Sequence, residues 1–116
     1  MTVSSCVFCR IVDADEPADV LYASDTVMAF RDSAPQAPVH VQVIPKEHLS
    51  SAAEVEDRHA GMLADLFHAA RQVARAEGLE DRGWRLVANI GPDGGQHIYH
   101  LHLHLLGGRQ MTWPPG

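Results

Sequence analysis

The chain has 116 residues, a length that fits one domain built on a single hydrophobic core. With 46% apolar and 21% charged residues it can support that core without staples, so one globular domain over residues 1–116 is expected. Nine Lys plus Arg against 15 Asp plus Glu leave a net charge of -6, which argues against nucleic acid or an anionic membrane as a partner, and no apolar run approaches the ~20 residues of a membrane span.

In the N-terminal segment, residues 1–15, there is no charged region followed by an apolar run of the kind that marks a signal peptide. Its two cysteines, Cys6 and Cys9, are too few and too close for the disulfide framework of a secreted domain, which predicts a reducing, cytoplasmic location. A C-x-x-C pair supplies two metal ligands and needs two more. Val20–Ala23 and Val27–Arg31, separated by Ser24-Asp25-Thr26, predict a hairpin. After Pro35 and Pro38, residues 39–44 alternate as a strand should, with His40 and Gln42 on one face and Val39, Val41 and Val43 on the other.

From residue 56 to 77, Leu63, Leu66, Phe67, Ala70, Val73 and Ala74 fall at helical spacing and predict the one long helix, stopped by Gly78; Ser51 with Glu54 offers a capping box for an earlier start. His59 and His68 on it are expected to be surface or half-buried residues. Residues 85–90 and 99–106 predict two more strands around a turn-rich loop at 91–95. Hairpins around a single helix point to an α+β fold with an antiparallel sheet. The tail, residues 107–116, is too rich in Gly and Pro for a helix, and its Met111 and Trp113 need a surface to dock on.

Four of the eight histidines, His97, His100, His102 and His104, lie in one short stretch. On a strand, His100-Leu101-His102-Leu103-His104 places three imidazoles in a row and leaves Tyr99, Leu101, Leu103 and Leu105 for the core. Two chemistries suit such a row. Three neutral imidazoles can hold a catalytic zinc with water in the fourth position. Alternatively, a central histidine is itself the nucleophile and its neighbours fix its tautomer. Asn89 ends the preceding strand, and Gly94-Gly95-Gln96 would let backbone N–H groups approach an anion, which suggests a phosphate beside a nucleophilic imidazole.

The run His100-Leu101-His102-Leu103-His104-Leu105-Leu106 resembles the histidine triad signature. Phe30-Arg31-Asp32, Pro35-Gln36-Ala37-Pro38-Val39-His40, Val43-Ile44-Pro45-Lys46, Asp93-Gly94-Gly95-Gln96, Gly107-Gly108-Arg109-Gln110-Met111 and Trp113-Pro114-Pro115-Gly116 resemble its nucleotide-binding (Hint) branch. The resemblance spans nearly the whole chain. It implies a five-stranded antiparallel sheet with one long helix and a short N-terminal helix, continued across a homodimer whose interface takes up the tail at 107–116. It also implies hydrolysis of purine nucleoside phosphoramidates to AMP and amine, with no cofactor required for catalysis.

Carried over by position, His102 is the nucleophile, His104 and His40 orient the site and contact phosphate or leaving group, and His100 is the first triad member. Asn89, Gly95 and His97 match phosphate contacts, Gln96 beside them is counted with the nucleotide-binding residues, and Asp32 matches the ribose carboxylate. Phe8, Ile11, Phe30, Arg31 and Ser33 match the base pocket, and Trp113 matches a segment near the opposite protomer's site. Relatives with the cysteine pair imply a structural zinc on Cys6, Cys9, His48 and His100.

This sequence departs from the pattern at two positions. His97 stands where a serine is usual, which bears on leaving group or pH optimum, and Ser33 stands where a branched apolar residue is usual, which makes the base pocket wetter. Two other readings remain: a nucleotide- or partner-binding module with incidental turnover, and a metallohydrolase with zinc on the triad. Against the second, no carboxylate is expected near the triad to act as general base.

Overall fold

A computed structural model describes residues 3–116. The elements are α1 (Val7–Val12), β1 (Val20–Ala23), β2 (Val27–Arg31), β3 (Val39–Pro45), α2 (Ala60–Ala76), β4 (Trp84–Val87) and β5 (Leu103–Gly107). The strands form one sheet in the order β1-β2-β3-β5-β4, antiparallel at every pairing, so β1 and β4 are its edges. This is the α+β architecture expected from the hairpin signals and the single long helix.

The alternation of β3 and β5 decides which face holds what. Val41, Val43, Leu103 and Leu105 point with Val27 and Ala29 toward one side, where Leu66, Ala69, Ala70, Val73 and Ala74 of α2 complete the main core. On the opposite side Met28, Phe30 and Ile44 pack under Phe8 and Ile11 of α1. His40 and Gln42 share that second side, because side chains alternate along a strand. The sheet thus has a helix-covered structural face and a face only partly covered by the short α1.

Several sequence expectations are corrected. The long helix starts at Ala60, not at residue 56, because the chain first makes two 3-10 turns, Ala52–Glu54 and Asp57–His59. Ser51 caps the first of these through Ala53 N–H (3.1 Å), and the capping box is formed by Glu56 and His59 instead. Phe67 is 57% exposed, since it lies about 100° around the helix from Leu66, beyond the stripe that meets the sheet. His59 is the reverse case: it is buried, its Nδ1 accepting from Glu56 N–H at 2.9 Å and its Nε2 3.4 Å from Glu47.

The two C-terminal strands are shorter than the apolar runs predicted. β4 ends at Val87, leaving Ile90 exposed. β5 begins only at Leu103, because Leu101 N–H is drawn to the Leu49 carbonyl (2.7 Å) and residues 99–102 leave the ladder. Tyr99 is consequently exposed and not in the core, whereas Leu101, Leu103 and Leu105 are buried as expected. The tail crosses beside β4, where Arg85 donates to the Thr112 carbonyl (2.9 Å), and Trp113 remains 82% exposed.

Candidate active site and metal centre

Three imidazoles converge on the open face of the sheet, but they are not the three of the alternating run. His40 on β3 and His104 on β5 flank Gln42, which pairs with His104 across the ladder. His102 joins them from just outside β5, its ring centroid 4.9 Å from that of His104. The ring of His100 turns elsewhere, because residues 99–102 do not hold the strand geometry that a period of two presupposes.

The hydrogen bonds fix where the protons sit. A carbonyl only accepts, so His102 Nδ1, 2.7 Å from the His100 carbonyl, carries a hydrogen and leaves Nε2 with a bare lone pair. An amide N–H only donates, so His40 Nδ1, which accepts from Gln36 N–H at 3.0 Å, is bare and its proton is on Nε2. That proton points at His104 Nδ1 (2.9 Å), which places the hydrogen of His104 on Nε2. Burial, chiefly, pushes His104 down to about 4 and also lowers His40 and His102, with Asp32 opposing the shift in each case. The rings are therefore neutral near pH 7.

Asp32, just beyond the end of β2, is held in place by Ala34 N–H on Oδ1 (2.8 Å) and by the Gln42 amide on Oδ2 (2.9 Å), with His40 Nε2 3.4 Å away, so a carboxylate from a distant segment does stand beside the triad, contrary to expectation. It lies where two cavities meet. One, of about 440 Å³, is lined by Asp32, Ser33, His40, Gly95, His97, His102 and His104. The other, of about 550 Å³, is bounded by Phe8, Ile11, Phe30 and Ile98, with Arg31, Ser33 and Gln42 also on its wall. Phe8 and Phe30 meet edge to face at 5.4 Å, a rigid apolar corner suited to a flat ring. Arg31 is turned to Glu77 (2.8 Å) and Asp19 (3.2 Å), which hold its charge at the cavity rim.

The sequence-derived residues thus separate. Phe8, Ile11, Phe30, Arg31, Asp32 and Ser33 gather at the apolar cavity, and His40, Gly95, His97, His102 and His104 at the triad cavity. Asn89 and Gln96 line neither: Asn89 donates to the Gly94 carbonyl (2.7 Å), and Gln96, buried, donates to the Ser50 and Ile98 carbonyls and accepts from Gly91 N–H. Their side chains shape the glycine loop. A Cβ on Gly94 would collide with the Ile90 backbone, and Gly95 has φ +78, so both positions need glycine. Trp113 also lies outside both cavities. Gln42 and Ile98, which the sequence analysis did not place in the site, border both, and the shared face of His40 and Gln42 was the available signal for the former.

His100 joins Cys6, Cys9 and His48 behind the triad. Its Nδ1 is 3.2 Å from His48 Nδ1 and 3.4 and 3.6 Å from the Cys6 and Cys9 sulfurs, and Cys9 Sγ is 3.3 Å from His48 Nδ1. The Pro45 carbonyl, 2.8 Å from His100 Nε2, takes that nitrogen's hydrogen, so Nδ1 faces the cluster bare. Tetrahedral zinc bonds of about 2.0–2.3 Å to nitrogen and sulfur put neighbouring ligand atoms about 3.3–3.8 Å apart, and the spacings here lie in that range or within 0.1 Å of its lower end. The donor set fits a closed Cys2His2 site.

A family profile described as "Scavenger mRNA decapping enzyme C-term binding" matches residues 5–113. A maize protein named 14 kDa zinc-binding protein is 50% identical over 115 residues, covering 97% of this chain and 89% of its own length. The chain belongs to the histidine triad (HIT) family of hydrolases. A HIT family hydrolase from Legionella pneumophila superposes with a TM-score of 0.94 at 50% identity, over 96% of this chain and 99% of the other. An Arabidopsis thaliana protein named Adenylylsulfatase HINT1 is 46% identical over 115 residues, 97% of this chain and 78% of that protein. The HIT fold accounts for the five-stranded open sheet, the long helix and the short one.

Proposed function

We propose that this HIT protein is a purine nucleoside phosphoramidase working through a nucleotidyl-histidine on His102. The observation that carries the reading is the bond from His102 Nδ1–H to the His100 carbonyl (2.7 Å), which leaves Nε2 bare beside a cavity joined through Asp32 to an apolar slot. The base lies in the slot of Phe8, Ile11 and Phe30, and Asp32 accepts from the ribose hydroxyls. The α-phosphate then sits before His102, with Gly95, His97 and the Nε2–H of His104 around it.

His102 Nε2 attacks the α-phosphorus, and the P–N bond to the amine breaks with its electron pair passing to nitrogen. The exposed His97 delivers that nitrogen a proton drawn from solvent. Charge on the nucleotidylated ring is spread to Nδ1–H, where the His100 carbonyl stabilises it. Water attacks the phosphorus in the second step, losing a proton, and the P–N bond to His102 breaks with its pair returning to Nε2. AMP leaves and the neutral triad is restored.

Cys6, Cys9, His48 and His100 would hold the metal in this reading, and zinc there would supply structural cross-linking of α1 to the sheet. Cytoplasmic reducing conditions would keep both thiols available for it. The homodimer is supported by the edge position of β4 and the 82% exposure of Trp113 on the tail beside it.

The test is AMP release from adenosine 5′-phosphoramidate by the intact protein beside His102→Ala, with mass spectrometry of quenched protein for the nucleotidyl adduct. Release and an adduct that the substitution abolishes are expected. AMP binding without release would put the binding-module reading first. The name of the Arabidopsis relative favours one second reading, adenylyl sulfate as substrate, in which the same attack expels sulfate; sulfate release outpacing amine release would favour it.

A further inference from the structure

His100 belongs to two constellations. Its ring faces His48, Cys6 and Cys9 at 3.2–3.6 Å, while its carbonyl receives the Nδ1–H of His102 at 2.7 Å. The peptide bearing that carbonyl has no place in the sheet ladder, since β5 begins at Leu103. Its backbone tie is Leu101 N–H to the Leu49 carbonyl, and Leu49 follows His48, so both ties lead to the same segment. What aims the His100 carbonyl is therefore the anchorage of its ring between Pro45 and the Cys/His cluster.

A second path runs through α1. Phe8 lies between Cys6 and Cys9, and its ring stands edge-on to His102 (5.3 Å), His100 (5.8 Å) and Phe30 (5.4 Å) while forming a wall of the apolar cavity. α1 has six residues, far below the length at which a helix holds itself in water. Cys6 and Cys9 tie it to the sheet through His48 and His100.

We infer that the Cys6–Cys9–His48–His100 cluster, holding a divalent ion of the zinc type, is a positioning element for the reaction centre: it sets the His100 carbonyl, hence the His102 tautomer, and it sets Phe8, hence the base cavity. The catalytic consequence rests on the reaction proposed above; the coupling itself does not. His40 and His104 provide an internal control, because Gln36 N–H and the β3–β5 pairing hold them independently of the cluster.

The experiment uses the full chain, labelled with 15N-histidine, loaded with zinc or stripped by a chelator, at one fixed pH. Long-range 1H–15N spectra should show His102 as the Nδ1–H tautomer when loaded and as a mixture when stripped, with His40 and His104 unchanged. AMP affinity should fall about tenfold on stripping, a loss on the scale seen when the outer partners of a site's ligands are removed. His48→Gln should reproduce the stripped state and resist rescue by added zinc. An unchanged His102 tautomer together with unchanged AMP affinity in folded, stripped protein would overturn the inference.

If stripping unfolds the chain, the coupling is read from the loaded side. Linkage requires AMP to raise metal affinity by the factor by which metal raises AMP affinity. In cobalt(II)-loaded protein, saturating AMP should shift the visible absorption bands of the ion and slow its loss to a chelator. Bands and loss rate both indifferent to AMP would also overturn the coupling. A loaded protein with the His102 response but no cleavage of phosphoramidate would count against the proposed reaction while supporting the coupling.

Discussion

His102 differs from its neighbours by one hydrogen bond. Because the His100 carbonyl takes its Nδ1–H, the lone pair that matters for nucleophilic attack is left on Nε2 and needs no base to uncover it. His102→Ala should lower turnover by on the order of 10⁴-fold or more, with AMP still bound and the fold intact, as checked by single-turnover kinetics and calorimetry. Asp32→Asn is expected to act differently. It removes the carboxylate that accepts from Ala34 N–H and the Gln42 amide and replaces one acceptor by a donor facing that amide, so AMP affinity should drop by about 10- to 100-fold, read by the same calorimetry.

The buried histidines also set the response to acid. In the unfolded chain they titrate at about 6.5, whereas burial lowers His40 and brings His104 down to about 4 in the native state. Between those values the unfolded chain binds more protons than the folded one, so stability rises with pH across this window and is lost as pH falls through it. Urea midpoints should therefore decline from pH 7 to pH 4.5, and a His104→Gln variant should show a shallower decline. A flat profile in the parent would contradict the burial of neutral rings.

Among the elements, α1 and β5 carry the site. α1 is too short to persist alone, and Phe8, 3% exposed, is its main apolar anchor. Phe8→Ala should cost about 3–5 kcal/mol of stability and weaken AMP binding as well, measured by denaturant unfolding and calorimetry. β5 ends at Gly107, where a Cβ would stand 2.5 Å from Leu79 Cδ1, so Gly107→Ala must push the buried Leu79 out of its packing. A loss of about 1–3 kcal/mol is expected from such overpacking, again by denaturant unfolding.

For the molecule as a whole, the sheet leaves two edges, and only β4 has the exposed Trp113 tail running beside it. A two-fold pairing at this edge would bury that tail and satisfy unpaired backbone groups together. Sedimentation should give twice the 12.7 kDa chain mass, and Trp113→Ala should move the equilibrium toward the single chain. A monomer at micromolar concentration would remove the dimer from the proposed function without touching the His102 chemistry.

Much of the fold is legible in the sequence. Alternation in residues 39–44 placed His40 with Gln42, the helical spacing of Leu66, Ala70, Val73 and Ala74 located the face that meets the sheet, and turn residues marked the hairpin. These signals are readable because side-chain direction along a strand or helix follows from local backbone geometry, which neighbouring residues encode. The histidine and cysteine sets were legible as inventory from residue type and spacing alone.

Tertiary structure alone decided how that inventory divides. The bond from Leu101 N–H to Leu49 pulls residues 99–102 out of the ladder, sends the His100 ring to the cysteines and leaves Tyr99 in solvent. Gln96 and Asn89 are consumed within their loop, and the proton positions on His40, His102 and His104 depend on a main-chain amide and carbonyl brought in by the fold. Each of these outcomes rests on a hydrogen-bond partner chosen by packing, and the periodicity of a short segment carries no record of which distant carbonyl or amide will lie within reach.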